Sequence, residues 1–297
     1  MQQIIFKTNY CKKITMSLYK MFPFTLLTAT ILMGCFGSKQ YKNPAEYDIN
    51  KPEKFIMPSA LKEISGISFL HGKEDTTYAI EDESGKLYYF PVGSDKENHS
   101  KFGKKGDYED VTVINNKTVA VLKSDGSITL FAATEIGKEK IESPHEFNNI
   151  LPEGEYEGLF ADSNKIFALC KNCPADKQKK EVSVYILEQT KDTGLIVTNT
   201  FKIDISAIQP GEDKAKFHPS GISKNPLTNE WFIISSVNKV LVIIDQSWKV
   251  KDFYPLNPAL FNQPEGITFN KNGDMYISNE GGDGKGDILV FRHHQIK

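Results

Sequence analysis

Residues 264–291, PEGITFNKNGDMYISNEGGDGKGDILVF, give the clearest indication of the fold class. This stretch begins with the motif Pro264-Glu265-Gly266-Ile267 and contains three short runs of aromatic and β-branched residues between turns rich in Asn, Asp and Gly. Such runs between such turns are typical of β-strands, and no long segment of the chain has the spacing of a helix. We therefore predict three consecutive strands here and an all-β protein.

The same motif opens four earlier segments, with a small or acidic residue, then Gly or Asp, then an aliphatic residue. The five motifs are Ile64-Ser65-Gly66-Ile67, Tyr108-Glu109-Asp110-Val111, Tyr156-Glu157-Gly158-Leu159, Pro219-Ser220-Gly221-Ile222 and Pro264-Glu265-Gly266-Ile267. Counting from Gly66 through Asp110, Gly158 and Gly221 to Gly266 gives steps of 44, 48, 63 and 45 residues. One four-stranded propeller blade occupies about 40 to 50 residues. We predict a five-bladed β-propeller over residues 51–297, with a six-bladed one as the alternative if the long step hides a degenerate blade.

The fifth repeat has only three strands, because the sequence stops just after the third. The missing strand can come from Lys54-Phe55-Ile56-Met57, which precedes the first motif. Pairing of the two ends would close the ring and remove the open sheet edges that invite aggregation. We therefore expect this N-terminal strand to complete the last blade.

Residues 1–34 have the features of an export signal. They contain four lysines and no acidic residue, and an apolar run from Met21 to Met33 that is too short to span a bilayer. The run ends in Leu32-Met33-Gly34-Cys35, which resembles the lipobox of bacterial lipoproteins. The resemblance implies a lipidated Cys35 carrying acyl chains such as palmitate, and a flexible tether over residues 35–50. The alternative is a buried N-terminal strand or helix with a chance cysteine.

The predicted processing also sets the location and the charge. A lipid anchor implies the cell envelope, either the periplasmic face of the inner or outer membrane or the cell surface. Removal of residues 1–34 changes the formal net charge from −2 to −6. No basic stripe of the kind that neutralises phosphates is visible, which argues against a nucleic-acid partner. We expect a monomer that contacts the membrane through its lipid.

A close pair of cysteines, Cys170 and Cys173, follows a predicted strand and precedes a lysine-rich loop. In an oxidising envelope this spacing favours a local disulfide that staples the loop. A metal or redox role is the alternative, although no second cysteine pair exists to complete a zinc site.

The position before the Gly or Asp of each motif should line the central channel, because the first strand of a propeller blade lies at the axis. These positions are Ser65, Glu109, Glu157, Ser220 and Glu265. Three carboxylates in one narrow space repel one another unless a cation joins them, and oxygen-only ligands suit Ca²⁺. Alternatively, each Glu bonds backbone amides of the neighbouring blade.

A second acidic set follows the second strands and should lie near the mouth of the channel. It consists of Glu81, Asp82, Glu83, Asp125 and Glu280. The segment from Asp283 to Asp287 looks superficially like a calcium loop, but it lacks the spacing of an EF-hand, so a hairpin turn is favoured.

Taken together, the motifs resemble the SdiA-regulated family. The resemblance rests on the Ser-Gly-Ile and Glu-Gly-Ile/Leu openings and on Tyr78-Ala79-Ile80-Glu81-Asp82-Glu83. It also rests on Gln263-Pro264-Glu265-Gly266-Ile267 and Asp274-Met275-Tyr276-Ile277-Ser278-Asn279-Glu280, and covers residues 52–292. It implies a five-bladed propeller, distantly related to NHL-repeat proteins, with a calcium site. Carried onto this chain, the candidate metal ligands are Glu109, Glu157 and Glu265, followed by Glu81 and Glu280.

Two functions are compatible with these features. The favoured one is a calcium-binding scaffold that presents its loops to a protein or glycan partner. The alternative is a metal-dependent hydrolase of the lactonase or phosphoesterase type, with Glu157, Glu265 and Asn279 around the ion. No Gly-x-Ser-x-Gly elbow is present. Only His218 among the histidines could approach the channel, and a turn histidine before Pro219 is the favoured interpretation. No catalytic residue is therefore assigned.

Overall fold

The structure is a computed structural model that describes residues 40–70, 75–176, 180–190, 194–208 and 217–294. The predicted signal peptide and Cys35 lie outside this part of the chain. Among the described residues, no helix is long and apolar enough to cross a membrane.

Five four-stranded antiparallel sheets account for the described part of the chain. The strands are β1 (Glu53–Ile56), β2 (Ile64–Phe69), β3 (Thr77–Glu81), β4 (Lys86–Phe90), β5 (Asn98–Lys101), β6 (Tyr108–Ile114), β7 (Thr118–Lys123), β8 (Ile128–Ala132), β9 (His145–Phe147), β10 (Glu155–Asp162), β11 (Lys165–Asn172), β12 (Glu181–Gln189), β13 (Leu195–Asp204), β14 (Gly221–Lys224), β15 (Trp231–Ser235), β16 (Val240–Ile244), β17 (Val250–Pro255), β18 (Pro264–Phe269), β19 (Met275–Asn279) and β20 (Asp287–Phe291). Short 3-10 helices cover Ser59–Leu61, Ala133–Glu135 and Pro174–Asp176. The predicted all-β, five-bladed propeller is confirmed, and the six-bladed alternative is wrong.

Each blade begins with a motif strand. Blades one to four are β2–β5, β6–β9, β10–β13 and β14–β17, and blade five has the order β1-β20-β19-β18. The long step between the third and fourth motifs is explained by long strands, since β12 has nine residues and β13 has ten. The insertion therefore lengthens blade three and adds no sixth blade.

The N-terminal strand closes the ring as expected. β1 pairs with β20 in antiparallel register from Glu53 opposite Val290 to Ile56 opposite Asp287. Two ion pairs reinforce this edge: Lys54 Nζ lies 2.6 Å from Asp287 Oδ2, and the guanidinium of Arg292 donates to both oxygens of Glu53 at 2.8 and 2.9 Å. The last blade is thus built from both ends of the described chain.

Residues 40–50 differ from the expected tether. Tyr47 and Ile49 are each only 1% exposed and belong to the apolar cluster between blades four and five. The Tyr47 hydroxyl donates to the carbonyl of Gly273 at 2.6 Å and accepts from Asn225 Nδ2 at 2.9 Å. The stretch is polar overall, but the two apolar side chains of Tyr47 and Ile49 are enough to anchor it to the core.

In the described part of the chain the core is divided into five apolar clusters, one between each pair of neighbouring blades. Every sheet is therefore covered on both faces, and most residues of its central strands are buried. All five residues of β16, for example, are buried. Burial on both faces explains why the second and third strands of each repeat are largely hydrophobic in the sequence.

The Gly-or-Asp position of the motif lies where neighbouring first strands approach most closely. A Cβ on Gly221 would lie 2.5 Å from the carbonyl oxygen of Glu265 in the next blade, closer than real Cβ contacts come. In blade two the residue is Asp110, which is 3% exposed. Its carboxylate accepts from the amide of Val111 at 2.8 Å and from Leu159 of blade three at 2.6 Å. Glycine at this position therefore avoids a clash between the first strands of neighbouring blades. Aspartate at the same position joins two blades through a hydrogen bond.

Candidate functional site

The structure brings the five channel positions of the motifs to one cavity. Ser65, Glu109, Glu157, Ser220 and Glu265 all line a space of about 300 Å³ where the first strands of the blades begin. The other lining residues are Asp82, Asp107, Lys171, His218, Pro219, Ser236, Val237, Gln263 and Glu280. We call this cavity the axial pocket. Since every blade begins near the axis, the pocket belongs to no single blade.

The second acidic set is divided between the pocket and local turns. Glu280 and Asp82 reach the axial pocket, but the candidate ligand Glu81 does not. Its carboxylate accepts from the amides of Glu83 at 3.1 Å and Ser84 at 2.7 Å, and from the Ser84 hydroxyl. Asp125 likewise accepts from the amide of Ser127 at 2.8 Å within a turn. Glu81 thus stabilises the turn after β3, and its neighbour Asp82 faces the pocket.

Two charged residues of the pocket were missed in the sequence. Asp107 lies two residues before Glu109, and Lys171 lies between the two cysteines. The Lys171 ammonium donates to Glu157 Oε1 at 2.5 Å. Alternation along β11 was the available signal, because residues next to each other in a strand point to opposite sides. Cys170 faces the core, so Lys171 faces away from it.

The carboxylates of the pocket are strongly perturbed by burial and by one another. Burial, followed by the charge of Glu157, raises the pKa of Glu109 to about 9 and that of Glu265 to about 8. Burial and the charge of Asp82 raise the pKa of Glu280 to about 7. Burial also raises the pKa of Glu157, although the Lys171 ammonium opposes the shift. Without a bound cation, Glu109 and Glu265 therefore keep their protons at neutral pH.

The donor set suits a hard cation, but it is not a closed cage. The pocket is lined by carboxyl and hydroxyl groups, whose oxygen atoms are the ligands that Ca²⁺ prefers. Asp82 Oδ1 is buried without a hydrogen-bond partner in the described part of the chain. Within that same part, no three pocket carboxylates place oxygens within 4.8 Å of one another. An ion would therefore need water or side-chain rotation to complete its coordination.

The cysteine pair forms a disulfide, with the Cα atoms of Cys170 and Cys173 6.0 Å apart. Asp176 lies close to both sulfurs, so the three residues have the spacing of a metal cluster. However, Asp176 accepts from the amide and hydroxyl of Ser183 at 2.9 and 2.7 Å and from Lys202. With the sulfurs bonded to each other and the carboxylate engaged, this cluster has no free thiolate for a metal.

Asn279 and His218, the two residues considered for the hydrolase alternative, both make hydrogen bonds that stabilise the fold. Asn279 is the last residue of β19, is fully buried, and donates to Asp287 Oδ1 of β20 at 2.9 Å. It is not part of the pocket lining. His218 lines the pocket, and its main chain is fixed by Asn238 Oδ1 at 2.9 Å and by the Ser235 hydroxyl at 2.6 Å. The trio of Glu157, Glu265 and Asn279 is therefore not assembled.

A second cavity of about 320 Å³ lies where the first strands end. Phe69, Phe160 and Phe269 contribute to its wall, and the ion pair of Lys224 with Asp162, at 2.8 Å, lies at its edge. This cavity has one acidic residue in its lining, in contrast to the axial pocket.

Comparisons with known proteins support the fold and show no family for the chain. No protein-family model and no curated protein sequence matches the chain, so the resemblance to the SdiA-regulated family stays a prediction. A luciferin-regenerating enzyme is similar with a TM-score of 0.50 at 10% identity, over 82% of this chain and 95% of that one. Two others score lower. They are a virginiamycin B lyase from Staphylococcus aureus (TM-score 0.48, 11% identity, 83% and 89% covered) and the WD40 propeller domain of Doa1 (0.45, 10%, 82% and 96%). At such identity the first similarity supports the propeller fold alone.

Proposed function

We propose that this chain is a lipid-anchored protein of the cell envelope whose propeller is a binding scaffold with Ca²⁺ in the axial pocket. The observation that carries the proposal is the convergence of Glu109, Glu157 and Glu265 with Glu280 in one partly open cavity. The lipobox-like Leu32-Met33-Gly34-Cys35 supports the anchor. The motif resemblance to the SdiA-regulated family supports the calcium.

The ion would be held mainly by Glu109 and Glu157. Glu157 lies within hydrogen-bond range of Glu109, and this contact opposes the rise that burial causes in the pKa of Glu157. Two adjacent carboxylates repel each other unless they share a proton or a cation. Ca²⁺ accepts six to eight oxygens in flexible geometry, including water, so Glu265 and Glu280 can complete the site by rotation or through water. Binding would neutralise the charge that burial makes unfavourable.

A scaffold is favoured over a hydrolase by the same geometry. A hydrolytic site needs a base within hydrogen-bond reach of an activated water. Here Asn279, which the hydrolase alternative requires beside the ion, lies outside the pocket lining. The loops around the pocket are then a surface for a protein or glycan partner.

Replacing Glu109 by Gln is expected to weaken Ca²⁺ binding about tenfold or more, because it removes a charge in contact range of the ion. Calorimetric titration with CaCl₂ measures the affinity. The matched control is Glu83→Gln, which removes an exposed glutamate paired with Lys105 at 3.2 Å outside the pocket. Equal affinity of Glu109→Gln and the unchanged chain would contradict the site. Turnover of a lactone or phosphoester panel that is lost in Glu265→Gln would contradict the scaffold.

The stability of the calcium-free protein is expected to fall as the pH rises from about 4.5 to about 9. In the folded state Glu109 and Glu265 have pKa values of about 9 and about 8, both above the ordinary value of 4.5. The folded protein therefore keeps protons that the unfolded chain releases, and stability is lost as the pH rises through this window. Calcium replaces those protons, so the rise in Tm on adding CaCl₂ should grow between pH 5 and pH 8. A calcium effect that is independent of pH would argue against these two groups as ligands.

A further inference from the structure

One cation is already present in the axial pocket. Lys171 is the only lysine that lines it in the described part of the chain. Its side chain is 31% exposed and that of Glu157 is 9% exposed, so the pair is largely withdrawn from solvent. An ammonium group in this position repels a second cation at the adjacent carboxylates, because charges interact more strongly where solvent is excluded.

The position of Lys171 is fixed by the disulfide on either side of it. Cys170 and Cys173 point into the apolar cluster between blades two and three, where they are 1% and 2% exposed. The bridge closes the short loop that contains Lys171 and Asn172. Since alternate residues of a strand face opposite sides, anchoring Cys170 in the core directs Lys171 to the other side.

The same bridge also lies against the strand that carries Glu157. Cys170 Sγ is 3.3 Å from the carbonyl oxygen of Glu155, and Cys173 Sγ is 3.8 Å from the Tyr156 hydroxyl. A Cβ on Gly154 would lie 2.7 Å from Cys173 Sγ, so only glycine leaves room for the bridge there. The disulfide thus contacts both β10 and β11, the two strands that supply the ion pair.

We propose that Lys171 is a tethered counter-ion that lowers the affinity of the axial pocket for cations, and that the Cys170–Cys173 disulfide holds it in place. This inference rests on the cation-binding function proposed above and names the residue that tunes it. By offsetting part of the negative charge, Lys171 lets the pocket persist without an ion. It also makes the site weak, in the range of extracellular calcium modules with a Kd of about 10⁻⁴ to 10⁻³ M.

The first test compares CaCl₂ affinities by calorimetry for the full chain and for Lys171→Met, Lys171→Gln and Lys171→Arg. Both neutral variants are expected to bind Ca²⁺ about tenfold tighter or more, since a repelling charge is removed from a partly buried pocket. Lys171→Arg keeps the charge and should keep the original affinity. Equal or weaker binding by both neutral variants would overturn the inference while leaving calcium binding intact. If no protein in the series binds Ca²⁺, the proposed function fails, and this inference fails with it.

The second test is a double-mutant cycle with the cysteines. Replacing both Cys170 and Cys173 by Ser is expected to tighten Ca²⁺ binding, because Lys171 is released from the pocket. The same replacement in the Lys171→Met background should leave the affinity unchanged, since the charge is already gone. An equal change in both backgrounds would show that the bridge acts through the fold and would overturn its positioning role.

Discussion

A chain that starts at Pro58 is expected to show no cooperative unfolding transition, whereas a chain that starts at Gln40 unfolds in a single one. The shorter chain lacks β1, so β20 loses its partner along the register from Glu53 to Ile56. It also loses the buried Met57, whose amide donates to the carbonyl of Gly286 at 2.8 Å. The ring can then no longer close, and an open sheet edge invites pairing with other chains. Thermal unfolding followed by circular dichroism is the measurement.

A chain that starts at Pro52 provides the matched control. It lacks Tyr47 and Ile49 but keeps β1, so the ring still closes. Loss of the buried tyrosine alone should lower the free energy of unfolding by about 3 to 5 kcal/mol, the usual cost of deleting a large core side chain. If the chain from Pro58 unfolds as cooperatively and at the same temperature as the chain from Pro52, the closing role of β1 is wrong.

Gly221→Ala is expected to lower the free energy of unfolding by about 3 kcal/mol or more, at the upper end of overpacking costs. The new methyl group would lie 2.5 Å from the carbonyl oxygen of Glu265 and 3.3 Å from the Ile234 side chain. The first contact is with backbone, so the first strands of blades four and five must move apart. Because that backbone carries Glu265, Ca²⁺ affinity should fall as well. Urea unfolding and calorimetry measure the two effects.

Gly284→Ala is the control for this substitution. The nearest atom to its added Cβ would be the carbonyl oxygen of Gly281 at 3.4 Å, an ordinary contact. Its effect should stay within about 0.5 kcal/mol, as for most surface changes. If Gly221→Ala proves as mild as Gly284→Ala, glycine in the motif is not required by the approach of neighbouring blades.

The fold could be predicted from the sequence because its information is local and repeated. Each motif has either a small residue, such as Gly221, or a residue that hydrogen-bonds the next blade, such as Asp110, where two first strands meet. The same repetition makes the preceding positions equivalent, so the convergence of Glu109, Glu157 and Glu265 followed from the spacing alone.

The remaining features depend on details that spacing does not contain. Glu81 is the last residue of β3 and Asp82 follows it. Only Asp82 lines the pocket, and the spacing of the repeats does not show which of the two neighbours does so. Lys171 enters the site through pairing of β10 with β11, which contains a bulge between Tyr156 and Gly158. Tyr47 is anchored by hydrogen bonds with Gly273 and Asn225, far away in the sequence. The residues next to Tyr47 in the sequence do not indicate these contacts.

The position of a bound ion in crystals of the full chain tests the proposed calcium site. Terbium, which takes oxygen ligands as calcium does, would be located by its anomalous scattering. We expect one strong site in the axial pocket, in contact with Glu109 and Glu157. Ions found only at exposed carboxylates, or at Asp162 at the opposite end of the channel, would contradict it.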